Sequence, residues 1–224
     1  MMIKNQLKIL KESIPDEVTL VAVSKTKPNT AILEAYEVGQ RDFGENKVQE
    51  MVAKYEVLPK DIKWHMIGHL QRNKIKYMAH FVHLIHAVDS LKLLLEIDKQ
   101  AKKHQRIINC LLQIRIAQED TKFGLPMTEI TNLLASDEFK QLEHIKIVGL
   151  MGMASFTDDF DQVRKEFKAL KEFYTTLDKL PATNNFKLDT ISMGMSGDYK
   201  IAIEEGSSMI RVGSAIFGVR NYIA

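Results

Sequence analysis

A lysine at the end of an apolar run offers the first reactive group in this sequence. Lys25 follows residues 19–24 (Thr-Leu-Val-Ala-Val-Ser), which have the composition of a buried strand. An amine at such a strand end loses hydration, which favours its neutral form, and a neutral amine can form a Schiff base with an aldehyde. Most strand-end lysines instead extend their charge to water, so both interpretations stay open. Lys27 precedes Pro28 and is predicted to lie in an extended, solvated turn.

Two segments near the end of the sequence could bind a phosphate. Ser196 and Gly197 precede a predicted helix over 198–205, and Gly213 and Ser214 follow the last predicted strand. The first N–H groups of a helix attract anions, and glycine allows close backbone approach. An ordinary helix cap or a tight turn would explain either segment by itself.

Arg211 lies two residues before Gly213, so it is predicted to point inward beside the second of these segments. A guanidinium group can only donate hydrogen bonds. Placed against a pyridine nitrogen, it would keep that nitrogen unprotonated and weaken the ring as an electron sink. An aldehyde-binding lysine, a phosphate site and this arginine together fit pyridoxal 5′-phosphate (PLP). The alternative for Arg211 is a salt bridge to Glu204 or Glu205.

The elements that would position these residues alternate between strands and helices. Helical patterns cover about 3–13, 31–38, 91–104 and 158–177. Eight strands are predicted, over 20–24, 41–43, 63–67, 82–87, 107–116, 145–151, 188–192 and 209–212.

Strands separated by helices require parallel pairing through right-handed crossovers. Several of the strands are apolar at successive positions, as expected when both faces of a sheet are covered. An open doubly wound sheet and a closed barrel both satisfy this pattern. Eight units, and the lack of a G-x-G-x-x-G motif after the first strand, favour one (β/α)8 barrel over 1–224 with an extra N-terminal helix. The loops after strands seven and eight are where such barrels most often bind phosphate.

Composition excludes several classes of protein. The net charge is +2, which gives no reason to expect a nucleic-acid or anionic-membrane partner. No stretch reaches 18 uncharged apolar residues, and the first residues lack the apolar segment of a signal peptide. Cys110 is the only cysteine, so an intramolecular disulfide is impossible and a reducing compartment is expected. These features predict a cytoplasmic protein.

Two other kinds of chemistry are considered and set aside. Arg72, Lys74 and Lys76 could contact RNA, but a solvated helix face explains them in a nearly balanced chain. Five of the seven histidines fall into two groups that are not predicted to converge, so no metal site is expected: His65 with His69, and His80 with His83 and His86.

Seven segments, taken in order, resemble the pyridoxal-phosphate homeostasis protein family. They span nearly the whole chain, and the probability that several long motifs agree in series by chance is very small. The segments are 22–28 (AVSKTKP), 43–50 (FGENKVQE), 64–74 (WHMIGHLQRNK), 86–89 (HAVD), 149–151 (GLM), 188–196 (LDTISMGMS) and 210–218 (IRVGSAIFG).

The resemblance implies a PLP-binding barrel like the N-terminal domain of alanine racemase. By that likeness Lys25 holds PLP as a Schiff base, Arg211 faces the pyridine nitrogen and Asn46 lies beside the ring. The implied phosphate-binding positions are Ser196, Gly213 and Ser214; the family commonly has threonine at the last, and serine keeps the hydroxyl.

The family is described as one that keeps free PLP low and supports vitamin B6 balance, without an established reaction. Racemisation through PLP needs an acid/base group on each face of the substrate adduct. In alanine racemase the second group, a tyrosine, depends on a separate β domain, which a chain ending at Ala224 is expected to lack. We therefore expect a monomeric, non-catalytic carrier that stores PLP and delivers it, with PLP-dependent apo-enzymes as partners. The alternative is a low-activity amino-acid racemase.

Overall fold

The computed structural model describes residues 2–117 and 124–218. Eight parallel strands pair in chain order and close on themselves, which confirms the predicted (β/α)8 barrel. The strands are β1 (Thr19–Val23), β2 (Asp42–Glu45), β3 (Lys63–Met66), β4 (Leu84–Val88), β5 (Ile108–Ile114), β6 (Ile145–Gly152), β7 (Phe186–Ser192) and β8 (Met209–Val212).

Helices surround the sheet, and an additional one precedes β1 as predicted. They are α1 (Met2–Glu12), α2 (Asn29–Glu37), α3 (Val48–Val57), α4 (Leu91–Lys103), α5 (Met127–Ala135), α6 (Asp137–Lys140), α7 (Phe160–Leu177), α8 (Tyr199–Glu204) and α9 (Ser214–Phe217), with a 3-10 helix at Arg72–Tyr77. The extra helix α1 buries Leu7 and Leu10 and packs against α2 and α9. Within the described ranges, no helix combines the length and the apolar character that crossing a bilayer requires.

Two apolar regions hold the barrel together, one on each face of the sheet. The larger lies between strands and helices and includes the fully buried rings of Phe43 and Trp64, whose centroids are 6.2 Å apart. The smaller fills the barrel interior and includes Val21, Leu111 and Met209. Burial on both faces accounts for strands that read as continuous apolar runs.

Most predicted elements agree with the structure, and the differences are local. Strand β2 continues through Gly44 to Glu45, because the next strand pairs with it as far as Met66. Helices α5, α6 and α9 were not predicted from the sequence, whereas the 3-10 helix coincides with the solvated helix face expected at Arg72, Lys74 and Lys76. Arg72 and Lys76 lie exposed on that 3-10 helix. Polar residues 119–123, which follow the fifth strand in the sequence, lie outside the described residues.

Strands β6 and β7 approach each other closely at a residue without a side chain. Gly149 pairs with Thr190, next to a register shift in the ladder. A Cβ atom at Gly149 would lie 1.8 Å from the carbonyl oxygen of Thr190. The backbone of β7 therefore occupies the space that any side chain at position 149 would need.

The close approach of these strands makes Gly149→Ala a test of how tightly the barrel is closed. We expect this variant to lose about 3 kcal/mol of unfolding free energy, because the added methyl group forces β6 and β7 apart. Urea unfolding followed by circular dichroism measures the loss. Gly197→Ala is the matched control, since a Cβ there meets nothing within 4 Å; its change should stay within about 0.5 kcal/mol. Equal stability of the two variants would contradict this account of the closure.

Candidate functional site

Lys25 lies just beyond the carboxyl end of β1 and is half-buried. The last pair of the β1–β2 ladder is Val23 with Gly44, and the N–H of Ser24 then donates to the carbonyl of Gly44 at 3.0 Å. Lys25 lies in the turn after β1, and Asn46 follows β2, the strand paired with β1. Val21 belongs to the interior cluster, and Lys25 lies two residues beyond Val23, the last residue of β1.

The backbone before Lys25 is held by a buried lysine on α3. The Lys54 Nζ donates to the carbonyl oxygen of Ser24 at 2.8 Å, to Glu45 Oε1 at 2.7 Å and to Glu50 Oε1 at 2.7 Å. The hydroxyl of Ser24 also donates to Glu45 Oε1 at 2.6 Å. Both the carbonyl and the side chain of Ser24 are therefore fixed from outside the barrel.

The backbone after Lys25 adopts an unusual conformation. Thr26 has φ of 65°, which is strained for a β-branched residue. Its N–H donates to Glu50 Oε1 at 2.6 Å. The same carboxylate that binds Lys54 thus holds this turn, and the peptide groups on both sides of Lys25 belong to one network.

Burial is the main influence on the pKa of the Glu45 carboxyl. It raises the pKa of this carboxyl above its usual range, although Lys54 and Ser24 oppose the change. The second oxygen of Glu45 has no hydrogen-bond partner among the described residues. The charge of this carboxylate therefore depends on Lys54.

Lys54→Met is expected to destabilise the protein by about 3 kcal/mol or more, because it leaves the buried Glu45 carboxylate without its cation. Thermal and urea unfolding provide the measurement. Lys8→Met is the control, since Lys8 is exposed and lies 3.9 Å from Glu12 in a surface ion pair. Such pairs contribute about 0–1 kcal/mol. A loss at Lys54 no larger than at Lys8 would contradict the anchoring role.

Lys27 was predicted to lie in a solvated turn, but its amine is hydrogen-bonded to another part of the chain. Its Nζ donates to the carbonyl oxygens of Phe217 at 2.9 Å and Gly218 at 3.2 Å, at the end of α9. Carbonyl groups at a helix end carry partial negative charge, so a cation is stabilised there. This amine is therefore engaged by the carbonyl groups at the end of α9.

The predicted phosphate segments meet at the end of β8. The N–H of Gly213 donates to the Ser196 Oγ at 3.2 Å. A Cβ at Gly213 would lie 3.2 Å from the carbonyl oxygen of Val23, so β8 passes close to the end of β1 here. Ser214 is exposed as the first residue of α9. The two segments therefore follow β7 and β8, and β8 pairs with β1, the strand that precedes Lys25.

Asn46 follows β2 and is half-buried under the next loop. A Cβ at Gly68 would lie 2.5 Å from the carbonyl oxygen of Asn46. Only glycine therefore permits the loop after β3 to pack against Asn46, and this contact fixes the backbone that follows β2.

Arg211 points into the barrel, as predicted, and its guanidinium is buried. The Nη1 donates to Ser192 Oγ at 2.6 Å and the Nη2 to the carbonyl oxygen of Gly152 at 3.0 Å. Burial lowers the pKa of Arg211 to about 10, and Asp198 partly offsets this. The group therefore remains a cation at neutral pH.

The alternative salt bridge for Arg211 is absent from the described residues. Arg164 occupies both carboxylates instead, at 2.5 Å from Glu204 and 2.6 Å from Glu205.

Sequence reasoning missed a line of polar side chains inside the barrel, here called the interior polar network. It runs from Asp42 through His65, His86 and Ser192 to Arg211. The signal that could have revealed it is the inward alternation on β3 and β4, which places one histidine of each strand in the interior. The histidines were grouped by closeness in sequence, so the contact between His65 and His86 on neighbouring strands was missed.

One histidine from each of the two groups also meets Asp42. The ligand atoms of Asp42, His65 and His83 lie within 4.8 Å of one another at the amino end of the barrel. That the protein binds no metal stays a prediction. In this structure His65 Nε2 and Asp42 Oδ1 are hydrogen-bonded at 3.0 Å.

Burial keeps two of these histidines neutral. It lowers the pKa of His86 well below 6.5, with smaller effects from neighbouring cations, and lowers the pKa of His83 to about 4. Burial raises the pKa of Asp42, but the hydrogen bond and charge of His65, together with the charge of Lys63, outweigh it and hold this pKa below its usual value.

These shifts predict that the protein becomes less stable as the pH falls from 7 to 5. The unfolded chain protonates His83 and His86 near pH 6.5, whereas the folded protein does not, so the unfolded state binds more protons in this window. The loss is at most about 1.4 kcal/mol per pH unit for the fully buried His86 ring, and smaller for His83, because part of that ring reaches solvent and is only partly desolvated. Urea unfolding at pH 7, 6 and 5 measures it. A profile without this fall would contradict the account.

The site as a whole offers an amine, a buried guanidinium, two hydroxyls and a backbone amide around the ends of β1, β7 and β8. This donor set fits a small molecule with an aldehyde, a ring acceptor and a phosphate.

Comparison with known proteins supports this interpretation. The family model of the alanine racemase N-terminal domain matches residues 2–221. The pyridoxal phosphate homeostasis protein of Aquifex aeolicus is 40% identical over 205 residues, which cover 91% of this chain and 87% of that protein. The chain belongs to the pyridoxal phosphate homeostasis protein family. Its relative of the same name from Vibrio alginolyticus is 38% identical over 214 residues, covering 93% of this chain and 89% of that protein.

Solved structures of this family share the barrel closely. PipY of Synechococcus elongatus without PLP has a TM-score of 0.89 at 36% identity, covering 96% of this chain and 100% of that chain. The same protein with PLP bound has a TM-score of 0.86 at 35% identity, with the same coverage. An alanine racemase from Bartonella henselae has a TM-score of 0.71 at 15% identity, covering 100% of this chain and 61% of its own, which shows likeness of fold alone.

Proposed function

We propose that this protein binds PLP, holds it as a Schiff base on Lys25, and keeps intracellular PLP in balance by storing and delivering it. What supports the proposal is that Lys25 follows β1, that Arg211 lies on β8, the strand paired with β1, and that Gly213 after β8 donates to Ser196 after β7. Family members named for PLP homeostasis, and a PLP-bound relative of closely similar structure, support it.

Each residue has a distinct task in this proposal. The neutral amine of Lys25 adds to the aldehyde carbon, and water leaves as the imine forms. Ser196, Gly213 and Ser214 donate hydrogen bonds to the phosphate, which is thereby held one strand away from the amine. Arg211 donates to the ring nitrogen, and Asn46 lies beside the ring.

Reduction with borohydride tests the anchoring amine directly. Reduction makes the bond between amine and cofactor permanent, so the intact mass should increase by one pyridoxyl phosphate group and peptide mapping should place it on Lys25. Lys25→Ala should lose both the added mass and the absorbance of bound PLP. Lys27→Ala is the matched control, because its amine is bonded to Phe217 and Gly218, and it should keep both signals. Modification of Lys27, or an unchanged spectrum in Lys25→Ala, would refute the assignment.

We also propose that the protein is a carrier without a catalytic residue of its own. When bound, PLP supplies an electrophilic aldehyde and a ring able to accept electrons. Arg211 can only donate, so it leaves the ring nitrogen unprotonated and weakens that second property. Tyr36 donates to Asp61 on the outer surface, and the Tyr55 ring stacks on Phe81 at 3.9 Å, so neither is placed as a racemase base.

The alternative, a low-activity amino-acid racemase, has likeness of fold in its favour. Turnover of a single amino-acid enantiomer above the rate of free PLP would decide for it.

The remaining parts of the proposal concern the oligomeric state, the location and the partners of the protein. We expect a monomer with one domain over 1–224, in the cytoplasm, and PLP-dependent apo-enzymes as recipients. The net charge of +2 fits a protein without a nucleic-acid partner.

A further inference from the structure

The interior polar network connects the two ends of the barrel. At its amino end, His65 Nε2 lies 3.0 Å from Asp42 Oδ1, and His65 Nδ1 lies 2.9 Å from His86 Nε2. His86 Nδ1 lies 3.2 Å from Ser192 Oγ, across the interior between β4 and β7. Arg211 Nη1 donates to the same oxygen at 2.6 Å. Five side chains from five strands thus form one continuous line.

The two ends of this line determine the direction of every hydrogen bond in it. Arg211 can only donate, and an ionised Asp42 can only accept. Ser192 accepts from Arg211, so its own hydrogen is available for His86 Nδ1. His86 then donates from Nε2 to His65 Nδ1, and His65 donates from Nε2 to Asp42. With both rings neutral, this is the arrangement in which each of these donors meets its acceptor.

We propose that Asp42 is a remote positioning residue for Arg211: it fixes both histidines as Nε2–H tautomers and so holds the guanidinium in the orientation that faces the cofactor ring. The inference rests on the proposed function, because the orientation of Arg211 matters to the ring nitrogen only when PLP is bound. Asp42 itself lies at the other end of the barrel and touches no part of the candidate site.

The electrostatics of Arg211 explain why such a line is needed. A buried cation is costly unless other groups compensate it. No carboxylate of the described residues forms an ion pair with Arg211, and Asp198 acts on it only at longer range. Aligned hydrogen bonds direct the negative end of each dipole toward the guanidinium and the positive end toward Asp42, and chains of this kind polarise one another.

Loss of the carboxylate would remove the reason for this alignment. His65 could then carry its proton on Nδ1 and donate to His86, which would in turn donate from Nδ1 to Ser192. The hydroxyl hydrogen of Ser192 would lose its acceptor, and the oxygen would be shared between His86 and Arg211. The guanidinium would keep its bond to Gly152 but be held less firmly on the side of Ser192.

The first measurement uses the protein without cofactor. Two-dimensional ¹⁵N–¹H spectra of the imidazole rings at pH 8 report which nitrogen carries the proton, and His65→Gln and His86→Gln assign the two signals. We expect both rings as Nε2–H tautomers in the wild type and a mixture of tautomers in Asp42→Ala. Asp42→Glu should retain the wild-type pattern. Asp61→Ala is the control, because Asp61 is an exposed acid paired with Arg41 outside the network.

The second measurement adds PLP. We expect Asp42→Ala to bind PLP about fivefold more weakly than the wild type, the effect of one ordinary hydrogen bond, and to change the pH dependence of the bound cofactor's absorbance. Asp42→Glu should restore part of the affinity, and Asp61→Ala should match the wild type.

Three results would overturn the inference. They are an Nδ1–H tautomer at either ring of the wild type, unchanged tautomers in Asp42→Ala, and unchanged affinity and spectrum of PLP in that variant. A wild type that takes up no PLP would refute the proposed function instead, while the ring spectra would still decide the direction of the network.

Discussion

Pairing between β8 and β1 is the constraint on which the candidate site depends. Four consecutive residue pairs, from Thr19 with Met209 to Ala22 with Val212, turn a row of strands into a ring. In an open sheet with the same strand order, the first and last strands would lie at opposite edges. Closure brings them into contact, so that Lys25 and the segment beginning at Gly213 share one side of the barrel mouth. The relative placement of amine and anion donors is therefore a property of the closed sheet.

Much of this arrangement could be predicted from the sequence. Apolar runs separated by amphipathic stretches predicted the eight strands, since burial on both faces leaves a mark that is local in sequence. The inward direction of Arg211 followed from its position before Gly213, and the motif around Lys25 was recognisable without a structure. Each of these features depends on residues close together along the chain, or on a family likeness.

The support beneath the site could not be predicted in the same way. Lys54 reaches a carbonyl group 30 positions earlier, and Lys27 binds carbonyls 190 and 191 positions later. Such partners are brought together only by the way α3 and α9 pack on the barrel. The interior polar network depends likewise on strands that are distant in sequence and adjacent across the lumen. A histidine in a strand shows that a polar group is buried, but only the closed barrel shows which group meets it.

The bond between Lys27 and the end of α9 has a consequence for chemical selectivity. Two primary amines lie two positions apart in one short loop, and any soluble aldehyde could in principle condense with either. The carbonyls of Phe217 and Gly218 accept two hydrogen bonds from the second amine, that of Lys27. The end of α9 therefore keeps the Lys27 amine in hydrogen bonds, and loosening α9 would make this amine available to an aldehyde two positions from Lys25.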